Sequence, residues 1–174
     1  MYKNLSDFLD ALEKAGELKY IRQEVSPDIE ISRFTDAESK KFDGGKALFF
    51  ENVKGSEFPV TTNIFGSPRR ICMALGVEHL DQLADRIREL IEFNPPRNLK
   101  EAFNALSLAV NVSRFFPRNF HGKTPPCQEV IHRGNEIDLG RLPVLTCWPK
   151  DAGPFITLPM VITRSLETGR QNMG

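Results

Sequence analysis

The stretch FPVTTNIFGSPRRICMALG, residues 58–76, joins a strand pattern directly to a helix pattern. Its first half, Pro59–Phe65, is rich in β-branched and aromatic residues and predicts a strand. Ser67 followed by Pro68 is typical of a helix N-terminus, because serine can cap free N–H groups and proline needs no hydrogen bond there. Gly76 favours the left-handed conformation that ends many helices. The stretch therefore predicts a strand followed at once by a helix, which indicates a mixed α/β fold.

The N-terminal residues predict a first amphipathic helix. Ser6 is the expected N-cap, and Asp7 places a negative charge in the first turn, where the helix dipole favours it. Gly16 is the expected left-handed end of the helix. The apolar residues on one face are Leu5, Phe8, Leu9 and Leu12.

Two strands and a second helix are predicted between this helix and the opening stretch. Leu18–Ile21 and Ala47–Phe50 are typical of strands, and the second is apolar enough to be buried. Ser26 is the expected start of the second helix, with Pro27 at its first position. A glycine-containing loop links Ala47–Phe50 to Pro59–Phe65, so we expect these two strands to be antiparallel neighbours.

The most regular helix is predicted after Gly76. In VEHLDQLADRIRELIEF, residues 77–93, apolar residues recur at helical spacing, and the pair Pro95-Pro96 ends the pattern. Asn98 is the expected cap of one further helix. Helical periodicity fades near Phe115, which indicates a change of structural class.

The C-terminal part predicts β-structure. Gln128–His132 and Phe155–Thr163 are strand candidates, with a turn at Gly134-Asn135 between them and Pro159 indicating an edge or a bulge in the second. In SLETGRQNMG, residues 165–174, the turn Glu167-Thr168-Gly169 separates an apolar run from a second run that begins at Arg170. This pattern predicts a β-hairpin.

We place a domain boundary in the linker His121–Pro126. Residues 1–120 then form a small mixed α/β domain, and residues 121–174 form the start of a β-rich domain. The fold class is therefore α/β, more narrowly α+β.

The composition excludes several classes of protein. The 23 basic and 23 acidic residues give a formal net charge of +0, so no basic field indicates a nucleic-acid partner. No stretch approaches the roughly 20 apolar residues that span a bilayer, and the N-terminus lacks the apolar core of a signal peptide. The 3 cysteines fit reduced thiols better than a disulfide framework. We predict a cytoplasmic protein with at most peripheral membrane association.

The common short catalytic motifs are absent from the sequence. GxSxG, GxGxxG and GxxxxGK[ST] do not occur, and no CxxC pair indicates zinc. The three histidines, His79, His121 and His132, lack the spacing of metal ligands. A structural role is favoured for each of them.

Two local features have more than one interpretation. Arg69 and Arg70 lie in the first turn of a predicted helix and could bind a phosphate, although a solvated pair or a salt bridge to a neighbouring acidic face is favoured. Leu142–Asp151 contains Cys147 and the only tryptophan, Trp148. This rigid stretch could line a pocket or cross between domains, and the sequence favours neither interpretation.

A set of segments in a fixed order resembles the N-terminal part of the UbiD-like decarboxylases. The segments span essentially the whole chain: SDFLDALEKAGELKYI, ALFFENVKG, FPVTTNIFGSPRRICMALG, PPCQEVI and IDLGRLPVLTCWPKDAGPFITLPMVITRSLETGRQNMG. TCWPKDAGPFIT and GRQNMG make the chain most similar to the 3-octaprenyl-4-hydroxybenzoate carboxy-lyase type. The resemblance implies that the β-rich part begins a split-barrel-like domain that binds prenylated FMN.

The resemblance also implies an activity. Members of the family remove carboxylate as CO2 from aromatic or α,β-unsaturated acids, often reversibly, such as polyprenyl-4-hydroxybenzoate in quinone biosynthesis. They use prenylated FMN, a divalent metal that is usually Mn²⁺ or else Mg²⁺, and a monovalent cation such as K⁺. A flavin prenyltransferase supplies the cofactor, and the enzymes form homo-oligomers.

The site residues implied by the resemblance are the last three of the chain. Asn172 matches a metal ligand of the family, and an amide oxygen is a hard, neutral donor that suits Mn²⁺ or Mg²⁺. Met173 and Gly174 would place their backbone groups near the cofactor. The alternative is that Asn172 is only a polar residue at a strand edge.

The family's remaining functional residues have no counterpart before Gly174. These are the motif's arginine, two further metal ligands (a histidine and a glutamate), and a catalytic Glu-Arg-Glu set. We therefore interpret the chain as an N-terminal fragment that alone binds neither metal nor prenylated FMN tightly and is inactive. The alternatives are a non-catalytic oligomerisation or interaction module and a simple flavin-binding barrel protein.

Overall fold

A computed structural model of the chain describes residues 2–91, 110 and 124–174. The chain divides into two units: residues 1–78 together with 139–174, and residues 79–138. The prediction of a mixed α/β fold is confirmed. The split-barrel detail and the boundary near residue 121 stay predictions, as does the helix at Asn98, which lies outside the described residues.

A three-stranded sheet forms the centre of the larger unit. Strand β1 (Leu18–Val25) is parallel to β2 (Ala47–Val53), and β2 is antiparallel to β3 (Val60–Thr62). The predicted antiparallel pairing of the second and third strands is confirmed. β1 and β2 extend beyond their predicted ends, whereas β3 is shorter than the apolar run that predicted it.

The structure gives the bounds of four α-helices. They are α1 (Leu5–Lys14), α2 (Glu30–Ser39), α3 (Pro68–Leu75) and α4 (Asp81–Ile91). The last of these belongs to the smaller unit, and the proline pair predicted to end it lies outside the described residues.

The sheet carries two apolar clusters. The larger consists of buried residues from β1, α2 and β2: Ile21, Val25, Ile31, Leu48, Phe50 and Val53. Phe34 and Leu145 pack against it, so the segment around Leu145 is part of the same unit as the sheet. The smaller cluster joins α1 to the sheet through Phe8, Leu12 and Ala47.

The sequence predicted the N-cap of α3 correctly and the N-cap of α1 wrongly. Ser67 accepts a hydrogen bond from the Arg70 N–H at 3.2 Å and caps α3 as predicted, and Gly76 ends that helix with φ 65°. The prediction of Ser6 as the cap of α1 was wrong. Asn4 takes that role by accepting the Asp7 N–H at 2.9 Å, and asparagine caps a helix as well as serine does.

The predicted start of the second helix at Ser26-Pro27 was wrong, because α2 begins at Glu30. The Pro27 carbonyl accepts the Thr146 N–H at 3.2 Å, and the Ile29 N–H donates to the Thr146 carbonyl at 2.9 Å. Ile29 has φ 67°, which is unusual for a β-branched residue. The bonds to a segment far along the chain hold these residues out of the helix.

Of the two long strand candidates of the C-terminal part, the first was wrong and the second was confirmed only at its end. Gln128–His132 forms no strand, and a 3₁₀ turn covers Pro126–Gln128. Of Phe155–Thr163 only the end is a strand, because Pro159 has no N–H to donate and Leu158 takes a left-handed φ of 62°. The turn predicted at Gly134-Asn135 is present as a 3₁₀ helix.

Glu38, near the end of α2, is a buried carboxylate that interacts with three lysine residues. It accepts hydrogen bonds from the Lys41 ammonium at 2.7 Å and the Lys46 N–H at 3.1 Å, and the Lys19 ammonium lies at 3.9 Å. Burial raises the pKa of Glu38, but the bonds and charges of these lysines outweigh burial and hold the pKa below its usual value. The ionised form therefore stabilises the fold.

We expect Glu38→Gln to lower the free energy of unfolding by about 1.5–3 kcal/mol at pH 6, the range for hydrogen bonds to charged groups. Because the pKa is lowered in the folded state, this stabilisation is present above the unfolded pKa of about 4.3 and is lost as pH falls further. Urea unfolding at pH 6 and pH 3 should therefore show a difference between the two proteins that shrinks in acid. Asp36→Asn, which breaks an exposed pair with Lys40, is the control and should cost at most about 1 kcal/mol. A pH-independent difference for Glu38→Gln would contradict this role.

Candidate functional site

The predicted C-terminal hairpin is confirmed. Strand β4 (Ile162–Arg164) is antiparallel to β5 (Gln171–Met173), and Asn172 lies directly opposite Thr163. Gly169 takes φ 68° in the turn between them. We call β4, β5 and their turn the C-terminal hairpin.

The side chain of Asn172 is exposed and unused within the described residues. It makes no hydrogen bond or ion pair with any other residue there. Its amide oxygen is therefore available to a ligand, and a hard neutral oxygen fits Mn²⁺ or Mg²⁺. Asn172 fits the role of one metal ligand.

The two residues after Asn172 differ in whether their backbone groups form hydrogen bonds with β4. Gly174 exchanges two hydrogen bonds with Val161, at 2.8 and 3.0 Å. Bonded and non-bonded pairs alternate along an antiparallel ladder, so the next pair, Met173 with Ile162, is non-bonded. The N–H and C=O of Met173 consequently point away from β4. Of the two residues predicted to approach the cofactor, Met173 has no backbone hydrogen bond within the part of the chain that the structure describes, whereas Gly174 has two.

The described residues contain no preformed cluster of acidic, histidine or cysteine metal ligands. They contain no group of three or more His, Cys, Asp or Glu side chains that could hold a metal ion. His79 and His132 are both exposed, and His121 lies outside the described residues. Asn172 would supply one ligand, whereas an octahedral ion needs about six.

Arg69 and Arg70 form salt bridges, as the favoured interpretation predicted. Both guanidinium groups bind Glu17, each at 2.9 Å and each on its own carboxylate oxygen. Arg70 is fully buried and also donates to the carbonyl oxygens of Gly44 and Gly45. A phosphate-binding role for this pair finds no support in the geometry.

The stretch Leu142–Asp151 lines an open groove, in agreement with the pocket-wall interpretation. Cys147 and Trp148 contribute to one wall of a cavity of about 650 Å³. We call this cavity the apolar groove. The opposite wall comes from α2 and β3, including Thr35 and Thr62.

Sequence reasoning missed the α2 wall, although a signal was present. Small polar side chains recur at the helical spacing i, i+3, i+4 and i+7, in Ser32, Thr35, Asp36 and Ser39. This pattern marks one face of α2, and that face lines the groove.

Two family models match the sequence. Residues 9–90 match the 3-octaprenyl-4-hydroxybenzoate carboxy-lyase N-terminal domain, and residues 118–174 match the 3-octaprenyl-4-hydroxybenzoate carboxy-lyase Rift-related domain. Within the described residues, no helix has the length and apolar character to cross a membrane.

Three solved structures of UbiD-class or related enzymes are similar to the chain. The UbiD-class enzyme HmfF from Pelotomaculum thermopropionicum, in complex with FMN, is 27% identical over 97% of this chain and 32% of its own, with a TM-score of 0.64. An evolved dimeric form of that enzyme in complex with prFMN is 30% identical over 99% and 34%, with a TM-score of 0.67. Vanillic acid decarboxylase from Sedimentibacter hydroxybenzoicus, in open form, is 27% identical over 99% and 33%, with a TM-score of 0.68. The chain spans about a third of the length of these structures.

Proposed function

The chain belongs to the UbiD family of carboxy-lyases, and we propose that it supplies the N-terminal part of an enzyme that removes or adds carboxylate on aromatic or α,β-unsaturated acids. The family models and the similarity to enzymes solved with FMN and prFMN support this proposal. The observation that carries it is the exposed side-chain amide of Asn172 on one face of the C-terminal hairpin, without a hydrogen-bond partner among the described residues, at the position that resembles a metal ligand of the family.

The last three residues of the chain would each have a separate part in binding the metal and the cofactor. The Asn172 amide oxygen would bind a divalent cation, Mn²⁺ or Mg²⁺, and the free N–H and C=O of Met173 would face the cofactor. Gly174 would hold the strand in register through its two bonds to Val161. Prenylated FMN, when bound, supplies the electron-accepting ring that loss of CO2 requires.

The other parts of the site are proposed to lie outside this sequence. Since the chain spans about a third of the matched structures, the remaining metal ligands, the K⁺ site and the catalytic Glu-Arg-Glu set would come from the other two thirds. The proposal includes a flavin prenyltransferase as cofactor supplier, a homo-oligomeric state, the cytoplasm as location, and polyprenyl-4-hydroxybenzoate of quinone biosynthesis as the first substrate to test.

One observation favours a second candidate function, a non-catalytic interaction module. Phe42 is 92% exposed at the tip of a loop in which Asp43, Gly44 and Gly45 all have positive φ. Arg70 and Asn63 hold this loop by donating to its carbonyl oxygens. A rigid loop with an exposed aromatic ring is typical of a protein contact.

The two candidates are separated by producing the gene product that contains these residues, together with a flavin prenyltransferase, Mn²⁺ and K⁺. We expect a purified protein with flavin absorbance that releases CO2 from at least one of a panel of prenylated and simple 4-hydroxybenzoates. The same host without the prenyltransferase is the control and should give an inactive protein. A colourless protein that is inactive on the whole panel would contradict the carboxy-lyase proposal and favour the interaction module.

A further inference from the structure

The C-terminal hairpin has two faces of different character. In an antiparallel pair, directly opposite side chains lie on the same face, and side chains alternate between the faces along each strand. One face carries Ile162, Arg164, Gln171 and Met173. The opposite face carries the pair Thr163 and Asn172, and we call it the Asn172 face.

The Asn172 face continues to the turn of the hairpin. The Ser165 N–H donates to the Arg170 carbonyl at 2.9 Å, so these two residues close the ladder. They lie two residues from Thr163 and Asn172, and therefore on the same face. Because two residues along a strand are about 7 Å apart, the Arg170 side chain starts close to the Asn172 amide. Arg170 thus adds a positive charge to the Asn172 face.

Two polar side chains of this face are unused within the part of the chain that the structure describes. The Arg170 guanidinium and the Thr163 hydroxyl are exposed, and they make no hydrogen bond or ion pair there. The Ser165 hydroxyl, in contrast, accepts the Thr168 N–H at 3.1 Å in the turn. No strand residue on this face is acidic, so the charge of Arg170 is available to an anion.

These groups fit a phosphate that lies beside a divalent cation. A phosphate monoester carries a charge of about −1.5 to −2 near neutral pH, and arginine binds two of its oxygens at once. A threonine hydroxyl can donate to a further oxygen. Mn²⁺ or Mg²⁺ on the Asn172 amide oxygen would attract the same anion, since such ions bind phosphate together with few protein ligands. The Asn172 face therefore has three different kinds of contact for one phosphate.

We propose that Arg170 and Thr163 bind the phosphate of the flavin cofactor on the Asn172 face, Arg170 as a cation and Thr163 as a hydrogen-bond donor. This inference rests on the proposed function, since it adds two cofactor-binding residues to that site. The family resemblance gives a role to neither of them. Both residues hold the cofactor in place and take no part in the loss of CO2.

Comparison of FMN with riboflavin isolates the phosphate, because the two flavins differ only there. A UbiD-class relative has been solved in complex with FMN, so unmodified FMN is a suitable probe. The gene product that contains these residues is freed of flavin and titrated with each flavin in the presence of Mn²⁺, and quenching of flavin fluorescence gives Kd. Arg170→Ala should raise Kd for FMN at least about tenfold and change Kd for riboflavin by no more than about twofold. An unchanged Kd for FMN, or equal weakening for both flavins, would overturn the proposal.

Arg164 provides a matched control on the opposite face of the same hairpin. Arg164→Ala removes the same charge from an exposed position and should alter Kd for FMN by no more than about twofold. Because both arginines are exposed, neither substitution should disturb the core, and unaltered circular dichroism would verify this. Equal weakening by the two variants would indicate a general effect of charge and overturn the assignment to the Asn172 face.

The contribution of Thr163 is tested by removing its hydroxyl alone. Thr163→Val keeps the shape of the side chain and should raise Kd for FMN at least about threefold, as expected for the loss of one hydrogen bond. Thr163→Ser keeps the hydroxyl and should bind FMN as the unchanged protein does. A serine variant as weak as the valine variant would show that the hydroxyl is not responsible and overturn this part of the proposal.

Turnover of the acid panel separates this inference from the function on which it rests. If Arg170→Ala binds FMN normally but raises KM for the acid, Arg170 binds the substrate carboxylate, which overturns the phosphate contact and leaves the carboxy-lyase function standing. FMN binding that depends on Arg170, in a protein that decarboxylates no acid with prenylated FMN, supports the phosphate contact and contradicts the carboxy-lyase function. Failure of the unchanged gene product to bind FMN would overturn both.

Discussion

Replacing Arg70 with alanine is expected to lower the free energy of unfolding by about 3–5 kcal/mol, the usual cost of removing one partner from a buried ion pair. Arg70 is fully buried, and its guanidinium binds the Glu17 carboxylate at 2.9 Å. Glu17 is itself largely buried, so the substitution would leave a desolvated charge with weaker compensation. Since a domain is stable by only about 5–15 kcal/mol, such a loss is a large share of the total.

The loop beside Arg70 adds to the expected loss. The guanidinium donates to the carbonyl oxygens of Gly44 and Gly45, both of which have positive φ. A Cβ on Gly44 would collide with the Gly66 carbonyl, so the loop is packed tightly against the start of α3. Without Arg70, the Gly45 carbonyl loses this side-chain donor, and the Gly44 carbonyl keeps only the Asn63 amide, which donates to it at 2.8 Å.

Arg69 is the matched control, because it binds the other oxygen of the same carboxylate at the same distance. Its side chain is 63% exposed, and exposed ion pairs contribute at most about 1 kcal/mol. Urea unfolding of the 174-residue chain, followed by circular dichroism, should therefore show a large loss for Arg70→Ala and a small one for Arg69→Ala. Equal losses would show that burial of Arg70 contributes nothing to its effect.

The sequence predicted the elements whose signals are local. Ser67, Pro68 and Gly76 define α3 by cap chemistry alone, and the turn at Gly169 defines the C-terminal hairpin. Where the deciding contact lies far along the chain, prediction failed. The start of α2 depends on Thr146, and nothing near Ile29 in the sequence indicates that partner.

The residues of the candidate site were harder to predict from the sequence than the helices and strands. Asn172 is a polar residue on a short strand, and only its likeness to a family motif indicates a metal site. The partner of Arg70 could not be identified from spacing, because Glu17 lies on a separate element. The apolar groove combines α2, β3 and a distant segment, so the sequence shows the polar pattern along α2 but not the cavity that this face lines.

Replacing Asn172 with alanine is expected to have the largest effect on activity. Removing an outer-shell partner of a metal costs about 10–100-fold, and a direct ligand should cost at least the upper end of that range. We therefore expect the Asn172→Ala gene product to lose kcat/KM for decarboxylation at least about 100-fold. Its bound Mn²⁺, measured by mass spectrometry, should fall in parallel.

Two further variants show whether the amide oxygen itself is responsible. Asn172→Asp keeps a hard oxygen in the same place and should retain more Mn²⁺ than the alanine variant. Gln171→Ala changes the neighbouring side chain, which points to the opposite face because side chains alternate along a strand. That exposed substitution should alter kcat/KM by no more than about twofold. If Asn172→Ala keeps its metal and its activity, or if Gln171→Ala loses as much, the Asn172 side chain does not hold the metal, and the shared position in the family motif would not reflect a shared role.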